Sequence, residues 1–467
     1  MRPTHRSVMA LLPSRKMTRP MSIFPPPESE RATKRLKLEH LNSDSFKNGV
    51  FLAPMVRSGA LPTRLMSLKH GAPLVWSPEV VDKAILHAER VVDPVTGVIS
   101  YNGKTRAIFT THPVEKPYLI YQIGSADPEL AVQAAKTVIQ DVSGIDLNCG
   151  CPKPFSTHAG MGAALLTNPD LLCDILTALR RELPPEVTVS AKIRLLPSQD
   201  DTKKLVERII RTGVSALTVH CRTRNMRPRE AALIERLREI VEFVEGLGVD
   251  IPVVANGDCQ GWEDAKRVKR ITGASSVMIA TAAEANPSCF SITPLQDVET
   301  TLIPSYLRLC KYLDNYWALT KFCISQFKGV RTELTKNEAH DLKSRIIKAK
   351  GYDEVTDLVG SWTGEADLAE IVNSIYSRRP RPLLAEPPPD PETPLGQFTT
   401  LAPVEDGSSG EDPPLATPLD RLNPEPPTSY APLGPSTGAR MPQPAIITGS
   451  DMLTPTPTPK HAYPFSP

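Results

Sequence analysis

The sequence predicts an α/β fold, a (β/α)8 barrel of the TIM type, followed by a small all-α helical domain and flanked by disordered ends. Between residues 51 and 280, eight short apolar runs alternate with helix-length amphipathic segments, a pattern typical of parallel strands joined by helical crossovers. Beyond that part, 23 of the 48 prolines lie in the 88 residues from Pro380 to Pro467, too many for a segment that packs a core. We therefore predict a disordered basic arm (1–47), the barrel (48–296), the helical domain (297–378) and a disordered Pro-rich tail (379–467).

The predicted strands are short and mostly apolar, as strands buried on both faces must be. They cover 51–55, 74–76, 118–123, 145–148, 187–193, 216–220, 252–256 and 276–280. The amphipathic helices between them cover 128–140, 169–182, 202–212, 230–246 and 261–271. Asp127, Asn168 and Asp201 stand where a side-chain oxygen caps the first turn of a helix.

Two regions depart from this regular pattern. Between 89 and 112, turn residues around Asp93 to Gly97 and Tyr101 to Gly103 predict a β-hairpin inserted after the second strand. In the helical domain, residues 308–350 hold ten Lys/Arg and four Asp/Glu, whereas residues 351–370 hold six Asp/Glu and no Lys or Arg. This predicts one basic face; the alternative is a solvated helix surface that the following acids neutralise.

The overall composition excludes several classes of protein. The eight cysteines show no zinc-finger or zinc-ribbon spacing, so we expect no metal, and their low number suits a reducing compartment. No apolar run is long enough to span a membrane. We expect a cytoplasmic protein, with a nuclear or mitochondrial pool because residues 1–19 carry five Lys/Arg and no acid, as transit peptides do. The alternative for that segment is a solvated basic arm.

Polar residues follow the carboxyl ends of the predicted strands, where barrel enzymes place their active sites. Taken alone, each of these polar residues is most simply explained as a loop residue that hydrogen-bonds to its own neighbours. Because all eight strand ends converge, the set predicts a binding site. Its members are Pro54 and Met55, Glu79, Gln122, Asn148 with Cys151, Lys192, His220, Asn256 with Gly257, and Ala280 with Thr281.

The residue types in this set indicate a flat ring that carries a phosphate. Gln122, Lys192 and His220 offer donors to an electron-rich heterocycle, and a lysine stabilises negative charge that develops on it. The last two strands of a barrel commonly hold a phosphate through backbone N–H groups, here in the segments 256–258 and 280–281. Flavin mononucleotide (FMN) has this shape. Gly160 and Gly162 lack the third glycine of a dinucleotide-binding turn.

Cys149 and Cys151 stand on the loop after the fourth strand, and Pro152 follows them. Two alternatives are a buried loop thiol and half of a metal site, although the other six cysteines form no second cluster. A thiol that faces a flavin can act as a proton donor. Hydride delivery combined with protonation reduces an activated C=C bond.

Seven segments resemble the tRNA-dihydrouridine synthases, most of all the eukaryotic tRNA-dihydrouridine(20) synthase branch, over residues 48–350. They are LAPMVRSGALPTRL, YQIG, GIDLNCGCPKPFSTHAGMGAALL, AKIRLLPS, LTVHCRTR, PVVANGD and SSVMIATAA. The resemblance implies an FMN-binding barrel followed by a helical domain that helps to bind tRNA.

The resemblance also implies roles for individual residues. Cys151 matches the proton donor of the family. The residues that match flavin contacts are Pro54, Met55, Val56, Glu79, Gln122, Lys192 and His220, and those that match its phosphate site are Asn256, Gly257, Asp258, Ala280 and Thr281. Positions near the uracil or the tRNA backbone are matched by Asn148, Lys153, Arg222 and Arg224.

Three residues depart from the family pattern. Thr281 stands where an arginine is usual, Ala285 where the nearest branch has tryptophan, and Cys221 where glycine follows the histidine. The phosphate site therefore has one charge fewer. After residue 378, neither composition nor pattern predicts the double-stranded-RNA-binding domain of the animal relatives.

Together these observations predict an FMN-dependent oxidoreductase that reduces a uridine in the D-loop of tRNA to 5,6-dihydrouridine. NADPH or NADH would be the reductant, tRNA the partner, and the protein a monomer. Two alternatives remain open at this stage. One is an FMN barrel reductase of a free pyrimidine or enone, and the other is an RNA-binding relative that has lost flavin.

Overall fold

A computed structural model gives the fold of residues 40–227, 229–330, 334–359, 364–378 and 382–383. The predicted basic arm up to residue 39 and the predicted tail after residue 383 lie outside the described residues. The described part of the chain belongs to one compact unit, so the predicted boundary between 296 and 297 stays a prediction. None of the helices in the described ranges combines the length and the apolar character needed to span a bilayer.

Eight parallel strands form a closed barrel, as the sequence predicts. In chain order the twelve strands are β1 (Val50–Leu52), β2 (Val75–Trp76), β3 (Val80–Val81), β4 (Glu89–Val92), β5 (Ile99–Asn102), β6 (Ala107–Thr111), β7 (Leu119–Gly124), β8 (Gly144–Cys149), β9 (Thr188–Leu195), β10 (Ala216–Thr223), β11 (Val253–Asn256) and β12 (Ser276–Ile279). The barrel order is β1, β2, β7, β8, β9, β10, β11 and β12, and β12 pairs with β1 to close it. The short strand β3 pairs with the carboxyl end of β7.

Helices follow most barrel strands and continue after the last one. They are α1 (Leu61–Lys69), α2 (Asp82–Ile85), α3 (Pro128–Val138), α4 (Pro154–Thr157), α5 (Pro169–Glu182), α6 (Gln199–Arg211), α7 (Glu235–Gly246), α8 (Trp262–Thr272), α9 (Thr281–Ala285), α10 (Ile303–Tyr312), α11 (Trp317–Gln326), α12 (Lys336–Lys348), α13 (Thr356–Val359) and α14 (Glu365–Ser377). Asp127 and Asn168 cap α3 and α5 as predicted. For α6 the predicted cap is wrong, because Ser198 accepts the hydrogen bond from the backbone N–H of Asp201.

The insertion after the second barrel strand is larger than predicted. Instead of a hairpin, β4, β5 and β6 form a three-stranded antiparallel sheet. Its inner side chains join the core: Tyr101 packs on Phe109, and Phe109 packs edge-on against Tyr121 of β7. The sequence did not predict the third strand, because few turn residues mark the segment 107–111, whereas turn residues stand next to the first two strands.

The barrel interior changes character along the strands. At the amino ends, an apolar cluster fills it, with members from β1, β2, β7, β10, β11 and β12. Phe46, from a 3₁₀ turn that precedes β1, packs edge-on against Phe51 and Trp76 and belongs to this cluster. The folded part therefore begins before residue 48, earlier than predicted. Two residues further along β7, β10 and β11, the inward side chains are polar: they are Gln122, Thr218 and Asn256.

The helices after the barrel pack against its first helix and the neighbouring loops. The hydroxyls of Thr63 in α1 and Tyr306 in α10 lie 3.0 Å apart. The guanidinium of Arg57 lies 3.7 Å from the centre of the Phe322 ring. Beyond α14, Leu383 is buried and its N–H donates to the backbone oxygen of Asn48, so the packed chain extends past the predicted boundary at residue 379.

The charge difference seen in the helical segment is partly cancelled by pairing. Arg308 binds Asp367 through two hydrogen bonds, and Arg345 binds Asp357 in the same way. Lys343 donates to the backbone oxygen of Phe327. Acids from the negative stretch thus neutralise two of the basic residues, as the alternative interpretation expected.

Candidate active site

The predicted site residues gather at the carboxyl ends of the barrel strands. Gln122, Asn148, Lys192 and His220 lie on β7, β8, β9 and β10, and Asn256 ends β11. Pro54, Met55, Val56 and Glu79 lie on the loops after β1 and β2, while Gly257, Asp258, Ala280 and Thr281 lie after β11 and β12. Lys153, Arg222 and Arg224 stand on or near the loops after β8 and β10. One mouth of the barrel therefore contains all of them.

Below the mouth, a buried carboxylate organises the polar side chains. Asp146 of β8 lies in register with Gln122 of β7 and Ser190 of β9. The Gln122 amide donates to one carboxylate oxygen at 2.8 Å, and the Ser190 hydroxyl donates to the other at 2.6 Å. Burial raises the pKa of Asp146 to about 6, although these hydrogen bonds and the nearby Lys192 oppose the shift. At neutral pH the carboxylate is mostly ionised.

The loop that carries Cys151 is held from both sides. The Asn148 side-chain oxygen accepts from the backbone N–H groups of Gly150 and Cys151, at 2.9 and 3.0 Å. Arg194 of β9 donates to the backbone oxygen of Gly150 at 2.8 Å. Gly162 has a φ of +58°, and a Cβ there would lie 2.7 Å from the Cys151 oxygen. The Gly160 to Gly162 segment thus lets the chain pass close to the Cys151 loop.

The two thiols of this loop differ in environment. Cys149 is fully buried and its thiol faces the backbone oxygen of Leu147. Cys151 is partly exposed and lies close enough to the carboxylate of Glu79 to feel its charge. Burial, followed by the negative charge of Glu79, raises the pKa of Cys151 to about 11. At neutral pH this thiol keeps its proton, which suits a proton donor and not a nucleophile.

Glu79 itself is held against the Cys151 loop. Ser156 of α4 donates to Glu79 Oε1 at 3.4 Å, whereas Glu79 Oε2 is buried and has no partner among the described residues. Burial raises the pKa of Glu79. The carboxylate therefore belongs to the surroundings of the thiol, in addition to any flavin contact that the sequence predicts.

Lys192 and His220 lie on the neighbouring strands β9 and β10. The residue Lys192 is half-buried, and its ammonium makes no hydrogen bond with any residue in the described ranges. Burial and the neighbouring Arg194 lower the pKa of Lys192 to about 8. Burial and three nearby cations lower the pKa of His220 to about 2, so this imidazole is neutral at physiological pH. A cation with no hydrogen-bond partner in the described ranges and a neutral imidazole suit an electron-rich ligand.

The predicted RNA-contacting residues fall into two groups. Lys153 and Arg224 are exposed. Arg222 is only 6% exposed, and its guanidinium binds Asp258, the backbone oxygen of Glu230 and His220. That geometry indicates that Arg222 supports the site from within.

The predicted phosphate segments lie side by side on the last two strands. The Asn256 side chain donates to the backbone oxygen of Met278 at 2.9 Å and so ties β11 to β12. Gly257 and Asp258 have φ angles of +141° and +54°, and the Asp258 carboxylate binds Arg222 and the N–H of Ala232. Thr281 is exposed at the first position of the short helix α9.

Sequence reasoning missed Asp146, Ser156 and Arg194. The alternation in the segment 144–149 contained the signal for Asp146, because it shares its strand face with Asn148 and so must point into the barrel. Arg194 shares its face with Lys192 in the same manner. No comparable signal marks Ser156, which reaches Glu79 only through the fold of the loop. Within the described ranges, no three His, Cys, Asp or Glu side chains come together so that they could hold a metal ion.

Comparisons with known proteins agree with this geometry. The tRNA-dihydrouridine(20) synthase [NAD(P)+] of Schizosaccharomyces pombe is 48% identical over 290 residues, which are 60% of this chain and 60% of that protein. The enzyme of the same name from Saccharomyces cerevisiae is 41% identical over 299 residues, 60% of this chain and 77% of that protein. A human tRNA-dihydrouridine(20a/20b) synthase [NAD(P)+]-like protein is 32% identical over 297 residues, 62% of this chain and 87% of that protein.

The chain spans about three fifths of the length of the S. pombe relative and larger shares of the other two. The family described as Dihydrouridine synthase (Dus) matches residues 51–352, which include all of the barrel except the first residue of β1, and the helices up to α12. The matched range contains both Cys151 and Lys192. The chain belongs to the dihydrouridine synthase family.

Proposed function

We propose that this protein reduces a uridine of tRNA to 5,6-dihydrouridine, with FMN as cofactor and NADPH or NADH as the source of electrons. The observation that supports it most is that one barrel mouth contains a protonated thiol, Cys151, and an ammonium, Lys192, that has no hydrogen bond to any residue the structure describes. Family membership and the names of the relatives point to the same reaction.

The residues at the mouth fit a flavin. The Lys192 ammonium needs an electron-rich partner, and Gln122 keeps one amide hydrogen after its bond to Asp146. His220 is neutral and offers either a donor or an acceptor. Around Gly257 and the start of α9, backbone N–H groups would hold the phosphate, with no arginine at Thr281 to assist them. When bound, the flavin supplies a hydride for carbon 6 of the uracil ring.

Cys151 supplies the matching proton. Reduction of the C5=C6 bond requires one hydride and one proton, and the thiol proton goes to carbon 5. The raised pKa of Cys151 ensures that the proton is present at neutral pH, and the thiolate left behind regains a proton from solvent before the next turnover. Positive charge on Lys192, Arg194 and Arg222 near the mouth stabilises the negative charge that develops on the substrate.

The surroundings of the mouth suit a nucleic acid more than a free pyrimidine. Phe155 is 51% exposed beside the Cys151 loop and offers a ring on which a base can stack. Lys153 and Arg224 add exposed positive charge, and Lys348 and Lys350 add more on the helical segment. A uridine must leave its stack to reach the mouth, so the tRNA has to open locally.

One experiment separates this proposal from its rivals. The full-length protein is purified, its visible spectrum is recorded, and NADPH is added under anaerobic conditions, followed by unmodified tRNA. We expect a yellow protein that bleaches with NADPH and regains its colour with tRNA while dihydrouridine forms. A colourless protein that binds tRNA would favour the flavin-less relative, and recovery of colour with free uracil but not with tRNA would favour a small-molecule reductase.

We further propose that the protein acts as a monomer in the cytoplasm. All eight cysteines are free thiols, as a reducing compartment requires. Light scattering of the purified protein and imaging of a tagged copy test the two statements separately.

A further inference from the structure

A chain of hydrogen bonds links the barrel interior to the Cys151 loop. It begins at Asp146, which accepts from Gln122 Nε2 at 2.8 Å. Gln122 Oε1 accepts from Asn148 Nδ2 at 3.1 Å. Asn148 Oδ1 then accepts from the N–H groups of Gly150 and Cys151. The three side chains are at least 91% buried, so each bond is shielded from water.

Both ends of this chain impose the same direction on it. An ionised carboxylate only accepts hydrogen bonds, so the Gln122 group that faces Asp146 must be its NH₂. A backbone N–H only donates, so the Asn148 group that faces the Cys151 loop must be its oxygen. The two amides between them then have one consistent orientation, because turning either of them places donor against donor or acceptor against acceptor.

We propose that Asp146 is a positioning residue that fixes the orientation of the Gln122 and Asn148 amides and thereby holds the Cys151 loop in place. Its carboxylate lies two side chains away from the loop and acts only through them. The inference rests on the proposed function insofar as Gln122 and Cys151 are the groups that act on cofactor and substrate. The order of the hydrogen bonds itself requires neither cofactor nor substrate.

Asp146→Asn keeps the size of the side chain and tests the order. If the Ser190 hydroxyl keeps donating to the remaining oxygen, the new NH₂ faces the NH₂ of Gln122. If the hydroxyl instead turns to accept from the new NH₂, it loses the acceptor for its own proton. If Gln122 turns, its NH₂ faces that of Asn148, and if Asn148 turns as well, its NH₂ faces two backbone donors. We expect the conflict to reach Asn148, so that the Cys151 loop loses hydrogen bonds.

The readout is the rate at which iodoacetamide modifies Cys151 in the full-length protein after flavin removal, measured by peptide mass spectrometry relative to Cys173. Cys173 lies on α5, is partly exposed and serves as an internal reference. In Asp146→Asn we expect the ratio to rise roughly tenfold or more, the change that loss of two hydrogen bonds implies. An unchanged ratio would overturn the proposal.

Two double variants restore a consistent order and provide the matched controls. In Asp146→Asn with Gln122→Glu, residue 146 donates to the new carboxylate, which still accepts from Asn148. In Asp146→Asn with Asn148→Asp, the order reverses, and the carboxylate at 148 accepts both backbone N–H groups. Both keep the net charge, and both should return the ratio to within roughly threefold of the wild type.

Each further result decides the matter. If both double variants are as reactive as Asp146→Asn, loss of the charge at 146 and not the bond order is responsible, and the proposal fails. If Asp146→Asn does not fold but a double variant does, the proposal is supported; if none folds, it is overturned. None of these readouts requires FMN, NADPH or tRNA, so a failure here is distinct from a failure of the proposed reaction.

Discussion

The two ends of the barrel interior are built from the same strands but differ in character. At the amino ends, Phe46, Trp76 and other apolar side chains pack together in one buried cluster. At the carboxyl ends, Asp146 and Lys192 lie buried or half-buried with opposite charges and shifted pKa values. The amino end of the barrel therefore stabilises the fold, whereas the carboxyl end holds polar groups at an energetic cost and leaves them available to a ligand.

The strongest test of the polar end is removal of its thiol. Cys151→Ala should cut dihydrouridine formation by roughly 10²–10⁴-fold, the usual effect of losing a positioned proton donor. Reduction of the flavin by NADPH should remain as in the wild type, since that step does not use the thiol. Single-turnover assays measure flavin reduction with NADPH and then dihydrouridine formation with tRNA.

Cys149→Ala is the matched control, and its activity should stay near the wild-type value because that thiol faces the backbone of Leu147. A full loss of activity in both variants would contradict the assignment of Cys151 as the proton donor.

Removal of a large side chain at the apolar end should instead affect folding. Phe46 is fully buried and contacts Phe51 and Trp76. Phe46→Ala should lower the free energy of unfolding by about 3–5 kcal/mol, the usual effect of such a cavity. Denaturant titration measures this loss. Reactivity of Cys151 below the transition should not change, and a protein of unaltered stability would show that the predicted arm, and not the core, contains this residue.

Lys192→Met distinguishes the two ends most directly. The ammonium has no hydrogen bond in the described part of the chain, so replacing it with an apolar side chain of similar length should leave stability unchanged or raise it. Flavin affinity should fall roughly 10- to 100-fold, the effect of losing one charged contact. Thermal unfolding of the flavin-free protein and fluorescence titration with FMN measure the two. A large loss of stability with unchanged FMN affinity would place Lys192 among the structural residues.

The fold could be predicted from the sequence because a strand that is buried on both faces has a simple, mostly apolar sequence. All eight barrel strands were found, since each is a short apolar run between helix-length segments. The insertion was underestimated because β6 has only a partly buried, mixed pattern. Phe46 was assigned to the arm because a single aromatic residue among polar neighbours gives no periodic signal.

The site was predicted less completely, since a sequence shows which groups are present but not what they bind. Lys192 and Arg222 look alike as cations at strand ends. In the structure, Arg222 is engaged by Asp258 and Glu230, whereas Lys192 has no such partner among the residues described. The charges on the helical segment gave the same difficulty, because Arg345 and Asp357 are twelve residues apart and meet only in the folded chain.

The smallest expected effect concerns the acidity of the thiol at the polar end. Burial contributes most to the raised pKa of Cys151, the charge of Glu79 contributes next, and the Ser156 hydroxyl opposes both. Glu79→Gln removes the charge but keeps the shape, so the pKa of Cys151 should fall while staying above its ordinary value. Ser156→Ala should shift it the other way, because the thiolate loses a donor. The pH at which Cys151 reaches half its maximal alkylation rate reports the pKa in each variant. Shifts in the same direction in both variants would mean that access to the loop, and not the charge of Glu79, controls the thiol. Opposite shifts would show that the carboxylate keeps the proton on Cys151 at the pH where the reaction requires it.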